Sequence, residues 1–596
     1  MGEIVAAARR KNSVTKKSVA TPRRSGPTLD VLSFVASGLA IAVYLGALGF
    51  PFVFDDLPQI LHNPRVQEWF YLPQYFTHSL WSHLGTPDNY YRPLFLVWML
   101  LNFKVFGADP KGWHFVGLVM HAAVTWLVYR VAVRDLQDKL AAGFAAILFA
   151  LHPIHVESVS WVSGLDEPLY AGFFLATVLC YFRWRDGDGQ GWLAASLTCF
   201  ALSALAKETA IVMPVMIFAY EWMGRHKEEW PARARASLST IVPYAVLVVV
   251  FLGARTLALR GTAMAVGNRA SPASLLLTLP AVLGFYFEQL VYPSWMAVFY
   301  PVTFVSRPGL WNFALPLLAL MAAGVGLWIW ARRDPRVKAA CAWMLIPLLP
   351  PLLALVRFRP DDLVHDRYLY LPSVGFSMLV AIALRRIPAG DRKLVGVPTA
   401  QAAALAVLGI ALGVATVRQT KYWSSDLAVY SRAVEASPNN VLALNQLGNQ
   451  LSHLGEDDRA VVYLERAVHI DHDNYRTLLL LGTAANNVGN YDRAIAVLTH
   501  ARELHPNDGI ADFYLGVAQL GANRLSEAEA SFRRAILLVP GKSRQHYLLG
   551  MVLMKEGRLL EARAEFLAEL KVDPASGDAR ARLHEIDVNL PPTLHQ

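Results

Sequence analysis

The sequence predicts an all-α protein in two parts, a bundle of membrane-spanning helices followed by an array of paired helices. Apolar stretches with few charges recur from Leu29 to about Arg418, and several are long enough to cross a bilayer. From Tyr422 onward the composition is charged and Ala-rich, and small residues recur at a fixed interval. The change near Lys421 therefore separates a membrane part from a water-exposed part.

About eleven segments are candidate membrane spans, on length and apolar character. They are 29–50, 113–129, 140–151, 168–182, 192–206, 211–222, 241–252, 310–330, 341–355, 368–384 and 397–417. Two further stretches are interpreted as interfacial or re-entrant, because 93–106 is short for a span and 275–291 contains Pro280 and Glu288.

Basic residues cluster in loops at alternate ends of these segments, as the positive-inside rule requires. The rule places the basic N-terminus, 1–28, in the cytoplasm and the first outer loop, 51–112, on the opposite side. With an odd number of spans in the membrane domain, 29–420, the rest of the chain is also extracytoplasmic. The formal charge of +9 comes from these scattered clusters, so nucleic-acid binding is not expected.

The C-terminal part has a 34-residue repeat. Glycines recur at this interval at 448, 482, 516 and 550, and alanines recur in step with them. A unit of this length with small residues where two helices touch is the tetratricopeptide (TPR) pattern. A partial unit and four repeats occupy 421–576, and 577–596 are expected to form a capping helix and tail. Stacked units form a superhelix whose groove can bind an extended peptide.

The most informative functional signal is a pair of carboxylates, Asp55 and Asp56, directly after the first apolar segment. Two acids at a membrane boundary indicate chemistry at the lipid–water interface, because charges are costly in hydrocarbon. Further charged or polar residues lie at the predicted outer ends of spans, and we expect them to line one cavity roofed by loops. They are Arg92, His152, His155, Glu157, Asp166, Glu167, Lys207, Glu208, Asp366, Arg367 and Tyr368.

Five short motifs carry a family resemblance. They are Phe54-Asp55-Asp56, Tyr91-Arg92-Pro93-Leu94, the run from His152 to Glu157, the run from Leu205 to Thr209, and the run from Asp366 to Pro372. In order and spacing they resemble the transmembrane, TPR-repeat O-mannosyltransferases, within the wider class of multispanning GT-C glycosyltransferases. The resemblance extends over nearly the whole chain and implies a GT-C-type membrane bundle followed by a TPR α-solenoid.

The resemblance implies transfer of a mannose-like sugar from a polyprenyl-phosphate carrier in the membrane lipid to a Ser or Thr hydroxyl of a protein. In this class an acid of the first outer loop is the catalytic base, which matches Asp55 or Asp56, and we favour Asp55. A carboxylate can take the hydroxyl proton as the oxygen attacks the anomeric carbon, which inverts the configuration. Lys207 and Arg367, with Tyr368 alongside, can stabilise the leaving phosphate. The TPR groove would bind the protein acceptor or a partner.

Some of these residues also have structural interpretations. Lys207 can end a short span with its ammonium extended to the interface. Arg367 can pair with Asp366, and Arg92 is expected to hold the outer loop in place instead of touching substrate.

The histidines have two interpretations. His152 and His155 can cap a helix end or pack as neutral imidazoles. Together with Glu157 and Asp166 they can also bind a divalent metal, as some GT-C enzymes do. The sequence pattern is too sparse to predict a metal, so no cofactor is predicted.

The alternative to an enzyme is a catalytically silent membrane scaffold whose TPR units recruit partners. A transporter is disfavoured, because the sequence has no visible inverted repeat and few charges near the bilayer midplane. Short Ala-rich loops favour a bacterial inner membrane, with the outer side in the periplasm, over the endoplasmic reticulum. No linear motif identifies the sugar or the acceptor.

Overall fold

The structure, a computed structural model, describes residues 31–85, 88–259, 270–360, 362–394 and 396–589. The basic N-terminus, 1–28, and the end of the tail, 590–596, lie outside these ranges. The regular secondary structure within these ranges is helical, apart from one antiparallel pair of short strands, β1 Lys393–Leu394 and β2 Val397–Pro398. The predicted all-α class is confirmed.

The membrane part is built from α-helices of very different lengths, joined by short 3₁₀ and π turns. In chain order they are α1 Val31–Ala42, α2 Pro93–Phe106, α3 Pro110–Leu136, α4 Lys139–Leu151, α5 Val156–Ser160, α6 Asp166–Arg185, α7 Gly191–Ala206, α8 Met213–Gly224, α9 Trp230–Ala258, α10 Pro272–Val291, α11 Leu315–Arg333, α12 Arg336–Leu345, α13 Leu349–Ala354, α14 Pro372–Arg385 and α15 Thr399–Thr420.

Eight helical segments of the described chain are long and apolar enough to cross a membrane, or nine if α4 and the bent segment after it form one span. The eight are Val31–Gly49, Pro110–Leu136, Val162–Arg185, Trp230–Ala258, Pro272–Val291, Leu310–Arg333, Arg336–Arg357 and Thr399–Trp423. The chain is therefore a multi-pass membrane protein.

Apolar helices that are shorter than a full span account for the difference from the roughly eleven segments expected. Helices α7 and α14 are only 16 and 14 residues long, and each borders a charged motif at its outer end. Conversely, the stretch 275–291, expected to be interfacial, lies in the continuous 20-residue helix α10. Pro280 is buried inside α10, and a proline is tolerated in a membrane helix where neighbouring groups satisfy the freed carbonyl.

Close helix packing in the membrane part depends on small residues. Every residue of α4 from Ala141 to Leu151 is buried. The closest approach is at Gly375 of α14, where an added Cβ would lie 2.2 Å from the carbonyl oxygen of Ala340 and 2.4 Å from the amide nitrogen of Met344. The backbones of α12 and α14 therefore touch, and this contact fixes the helix that directly follows the Asp366 to Tyr368 motif.

We expect Gly375→Ala to destabilise the membrane part by about 1–3 kcal/mol or more, since backbone atoms cannot rotate away from the added methyl group. Gly326→Ala in α11 is the matched control, because an added Cβ there meets no atom within 4 Å. Thermal unfolding of the detergent-solubilised proteins measures both. Equal midpoints for the two variants would contradict the close contact.

The array consists of helix pairs of similar length. Its helices are α16 Asp426–Ala436, α17 Val441–His453, α18 Asp457–Ile470, α19 Tyr475–Asn487, α20 Tyr491–Leu504, α21 Ile510–Gly521, α22 Leu525–Leu538, α23 Gln545–Lys555, α24 Leu559–Val572 and α25 Gly577–Asn589. Each repeat glycine lies against a large side chain of the next helix, at 2.4–2.8 Å from an added Cβ. The pairs are Gly448 with Leu464, Gly482 with Leu498, Gly516 with Phe532, and Gly550 with Phe566. The predicted TPR-like solenoid is confirmed.

Helix α16 docks the array on the loop that follows α10. Arg432 of α16 donates from Nε to the carbonyl oxygen of Met296 at 3.1 Å and from Nη2 to that of Ser294 at 3.2 Å. The Ser437 hydroxyl donates to the carbonyl oxygen of Phe299 at 3.1 Å. The array therefore begins as a part of the outer loop surface and not as a freely tethered domain.

Candidate active site

Asp56 anchors the first outer loop. Its side chain is fully buried, and Oδ1 accepts hydrogen bonds from the amide and the hydroxyl of Ser163, at 2.7 and 2.6 Å. Oδ2 accepts from the amide of Val53 at 3.2 Å. Burial raises the pKa of Asp56 to about 7, while these hydrogen bonds lower it. Both oxygens are occupied by protein donors, so this carboxylate holds the loop and has little capacity left for a substrate.

The Asp55 carboxylate, unlike that of Asp56, accepts no hydrogen bond within the described residues. The Asp55 side chain is half-buried. Burial raises the pKa of Asp55 to about 7, against a lowering effect of the Arg367 guanidinium and with a further increase from Asp362. A carboxylate with free lone pairs and a pKa near neutrality is suited to accept a proton from a hydroxyl.

Arg367 is held in place by Glu157. The Arg367 amide donates to Glu157 Oε2 at 2.9 Å, and its Nη1 contacts Oε1 of the same carboxylate. The guanidinium carbon lies 5.6 Å from the Trp161 ring and 5.4 Å from the Tyr368 ring. Nε and Nη2 make no hydrogen bond to the part of the chain that the structure describes. Two donors thus remain for an anion.

Arg92 joins two segments that are far apart in sequence. Its Nε and Nη2 donate to the two carboxylate oxygens of Glu208 at 2.9 and 3.0 Å, and its Nη1 donates to Asp166 Oδ2 at 2.6 Å. This is the planar, two-pronged geometry that arginine makes with a carboxylate. The expectation that Arg92 holds the outer loop agrees with these contacts.

The ammonium of Lys207 has two carboxylate partners, which the sequence did not predict. Its Nζ lies 3.0 Å from Asp166 Oδ2 and also contacts Glu167 Oε1, and the side chain is only 2% exposed. Two carboxylates therefore neutralise one ammonium in a buried position. The snorkelling interpretation is wrong, because the ammonium points inward, and the role expected for Lys207 as a phosphate ligand would require it to leave one of these partners.

Asp366 and Tyr368 flank Arg367 but have different partners. Asp366 accepts a hydrogen bond from the Tyr300 hydroxyl at 2.5 Å, and Tyr300 in turn accepts from the Ala297 amide at 2.9 Å. Within the described ranges Asp366 and Arg367 form no ion pair, so the alternative of an Asp–Arg pair is wrong. The half-buried Tyr368 ring lies 6.0 Å from Lys207 Nζ, so both cations lie near the same ring.

His152 and His155 make structural contacts. Nδ1 of His152 accepts from the Ile154 amide at 3.2 Å and Nε2 lies 3.0 Å from the carbonyl oxygen of Leu290, which requires a neutral ring that donates from Nε2. His155 Nε2 lies 2.8 Å from the hydroxyl of Ser373. These contacts favour the capping and packing interpretation over a direct role.

The described residues contain no group of three or more His, Cys, Asp or Glu side chains placed to hold a metal ion. Two residues that hold the site were not identified from the sequence. Ser163 binds Asp56, and Trp161 packs beside Arg367. Neither has a visible signal in the sequence, because both act through contacts between distant segments.

Replacement of Arg92 tests the charge network. Arg92→Leu leaves Glu208 and Asp166 without their shared cation in a buried position, and we expect a loss of about 3–5 kcal/mol of stability. The matched control is Arg134→Leu, which breaks an ion pair with Asp186 that is nearly half exposed on both sides. That change is expected to cost about 1 kcal/mol or less. Equal losses in thermal unfolding would contradict the buried network.

Sequence comparisons match both parts of the chain. Residues 91–255 match the family described as Dolichyl-phosphate-mannose-protein mannosyltransferase. Residues 429–462 and 479–545 match two tetratricopeptide repeat families. Among solved structures, the crystal structure of MamA is 24% identical, with a TM-score of 0.24, and the match covers 25% of this chain and 86% of that one.

Among curated proteins, Protein O-mannosyl-transferase TMTC3 of Mus musculus is 27% identical over 466 residues, which cover 71% of this chain and 49% of the relative. Protein O-mannosyl-transferase F38B6.6 of Caenorhabditis elegans is 24% identical, with 73% and 62% covered. Human TMTC4 is 25% identical, with 72% and 65% covered. The chain thus spans less than two thirds of the length of these relatives. The resemblance to transmembrane, TPR-repeat O-mannosyltransferases is confirmed.

Proposed function

We propose that this chain, similar in both of its parts to transmembrane, TPR-repeat O-mannosyltransferases, is an inverting membrane glycosyltransferase. It moves a mannose-like sugar from a polyprenyl-phosphate carrier to a Ser or Thr hydroxyl of a protein. The observation that carries the proposal is the contrast between two adjacent acids. Asp56 has both oxygens hydrogen-bonded, whereas the half-buried Asp55 keeps its carboxylate free beside Arg367.

Asp55 is the general base in this mechanism. The acceptor oxygen attacks the anomeric carbon as Asp55 takes its proton, and the bond between the anomeric carbon and the phosphate oxygen breaks. The polyprenyl phosphate leaves as an anion, so it needs charge stabilisation more than a proton. One displacement from the opposite face inverts the configuration at the anomeric carbon.

Arg367 is the residue that binds the leaving phosphate. Two of its guanidinium nitrogens are free, while Glu157 fixes the third and the backbone amide. A guanidinium can donate two parallel hydrogen bonds to a phosphate, which a lysine cannot. Tyr368 would border the phosphate site. Lys207 acts differently, since it offsets part of the negative charge of Asp166 and Glu167 and so reduces their repulsion of the donor phosphate.

Both substrates are proposed to arrive from the extracytoplasmic side. Helix α16 contacts Phe54, the neighbour of Asp55, and the loop after α10, which favours an array and a site on one face of the membrane. The basic clusters lie at the opposite helix ends, for example Arg183 and Arg185 at the end of α6, and by the positive-inside rule that end is cytoplasmic. In a bacterial inner membrane the site would face the periplasm.

The array is proposed to bind the protein acceptor. Asn449 and Asn487, on the first helices of two repeat units, are half-buried and exposed, respectively. Their amide side chains can hydrogen-bond the backbone of an extended peptide, and the peptide would then enter the site along the groove.

Asp55→Asn tests the proposed base. The amide cannot take a proton at neutral pH, and we expect kcat to fall by about 10²–10⁴-fold with an unchanged thermal midpoint. The measurement is transfer of sugar from a synthetic polyprenyl-phosphate donor to peptide, read by mass spectrometry. Glu68→Gln, on an exposed acid of the same loop, is the control and should retain wild-type activity. Normal activity of Asp55→Asn would contradict Asp55 as the base, and absence of transfer by the wild-type protein would favour the scaffold alternative.

The pH dependence of transfer provides a second test. Because burial raises the pKa of Asp55 to about 7, the base is protonated below that pH and kcat/KM should fall about tenfold for each further pH unit. A profile that stays flat from about pH 7 down to pH 5 would contradict a carboxylate base with a raised pKa.

A further inference from the structure

Phe54, the residue before Asp55, has an unusual backbone conformation. Its φ is +58°, in the left-handed region, where only three other non-glycine residues of the described chain lie. For a residue with a Cβ this conformation costs about 1–2 kcal/mol. It persists only where surrounding contacts hold it.

One contact comes from the array, 372 positions away in sequence. The amide of Phe54 donates a hydrogen bond to Asp426 Oδ1 at 2.7 Å. Asp426 is the first residue of α16, and the preceding Ser425 caps this helix by accepting from the Ala428 amide at 3.2 Å. The position of the Asp426 carboxylate is therefore set by a well-formed helix end.

The Phe54 ring is enclosed by residues of three different segments. Its centroid lies 5.4 Å from that of Trp161, 6.4 Å from that of Phe299 and 6.1 Å from that of Tyr430. Tyr430 belongs to α16, like Asp426. Helix α16 thus contacts Phe54 both through its backbone amide and through its side chain.

Asp55 lies between two anchored residues. Asp56 is fixed by Ser163, and Phe54 is fixed by α16. If the Asp426 contact were lost, Phe54 could return to a negative φ, and the Asp55 carboxylate would change direction because its other neighbour cannot move with it. A displacement of about 1 Å at a reacting group is enough to reduce a rate about 100-fold.

We propose that Asp426 is a positioning residue for sugar transfer, which holds Phe54 in its left-handed conformation and thereby aims Asp55 at the acceptor hydroxyl. This inference rests on the proposed role of Asp55 as the base. It gives the first helix of the array a function in the chemical step itself, in addition to any binding of the acceptor by the groove.

The test compares Asp426→Ala with Asp426→Asn in the full-length protein. Alanine removes the acceptor oxygen, so we expect kcat to fall about 10–100-fold while KM for the acceptor peptide changes less than about twofold. Asparagine retains Oδ1 and should restore kcat to within about threefold of wild type. Ser437→Ala is the matched control, because it removes another hydrogen bond between α16 and an outer loop without touching Phe54. Its kcat should be unchanged.

The outcomes separate this inference from the function on which it rests. If Asp55→Asn is inactive but Asp426→Ala has wild-type kcat, the positioning role is wrong and the base assignment stands. If Asp55→Asn is fully active, Asp55 is not the base, and this inference is wrong with it. If the wild-type protein transfers no sugar from the polyprenyl-phosphate donor, the function itself is wrong. If Ser437→Ala loses as much kcat as Asp426→Ala, general docking explains the effect and the inference is overturned.

A variant that keeps the negative charge distinguishes a loss of positioning from a failure to fold. Should Asp426→Ala fail to fold, Asp426→Glu retains an acid in the first turn of α16 but moves the acceptor oxygens by one methylene group. We expect it to fold with a lowered kcat. A folded Asp426→Glu protein with wild-type kcat would overturn the proposal.

Discussion

The arrangement of the outer loops depends on one buried network of charges. Arg92 lies between Glu208 and Asp166, and Lys207 lies between Asp166 and Glu167. Buried charges are tolerated only when each has well-placed partners, so no member can move alone. The network therefore fixes the end of the first outer loop, the start of α6 and the turn after α7 relative to one another.

The same network positions the acids of the first loop. Ser163, which binds Asp56, lies three residues before Asp166, so the anchor of Asp56 and the charge network belong to one rigid segment. Two adjacent aspartates consequently acquire different properties. Both carboxylate oxygens of Asp56 accept hydrogen bonds from the protein, whereas the Asp55 carboxylate remains available to accept a proton. The environment, not the residue type, separates the two roles, as is common in enzymes that use paired carboxylates.

Sequence reasoning succeeded where the signal is local or periodic. The 34-residue interval predicted the helix pairs, and the places where glycines meet Leu464 or Phe532 follow from it. The alternation of spans predicted that the charged motifs lie at the same end of the helix bundle. Sequence reasoning failed where a contact joins distant segments. It did not reveal that Lys207 has two carboxylate partners, that Tyr300 binds Asp366, or that Asp426 reaches Phe54. Hydropathy predicted the apolar segments but not their lengths, because polar motifs end α7 and α14 after only 16 and 14 residues.

We infer that the first loop, the loop after α10 and the TPR array form one surface on one side of the membrane. Cysteine labelling with a membrane-impermeant reagent tests this arrangement in intact cells, on a chain whose native Cys180, Cys199 and Cys341 are replaced by alanine. Single cysteines at the exposed positions Phe70, Trp295 and His472 should all label, while one at Lys227 should not. Labelling of position 70 without labelling of position 295 or 472 would contradict one surface on one side of the membrane.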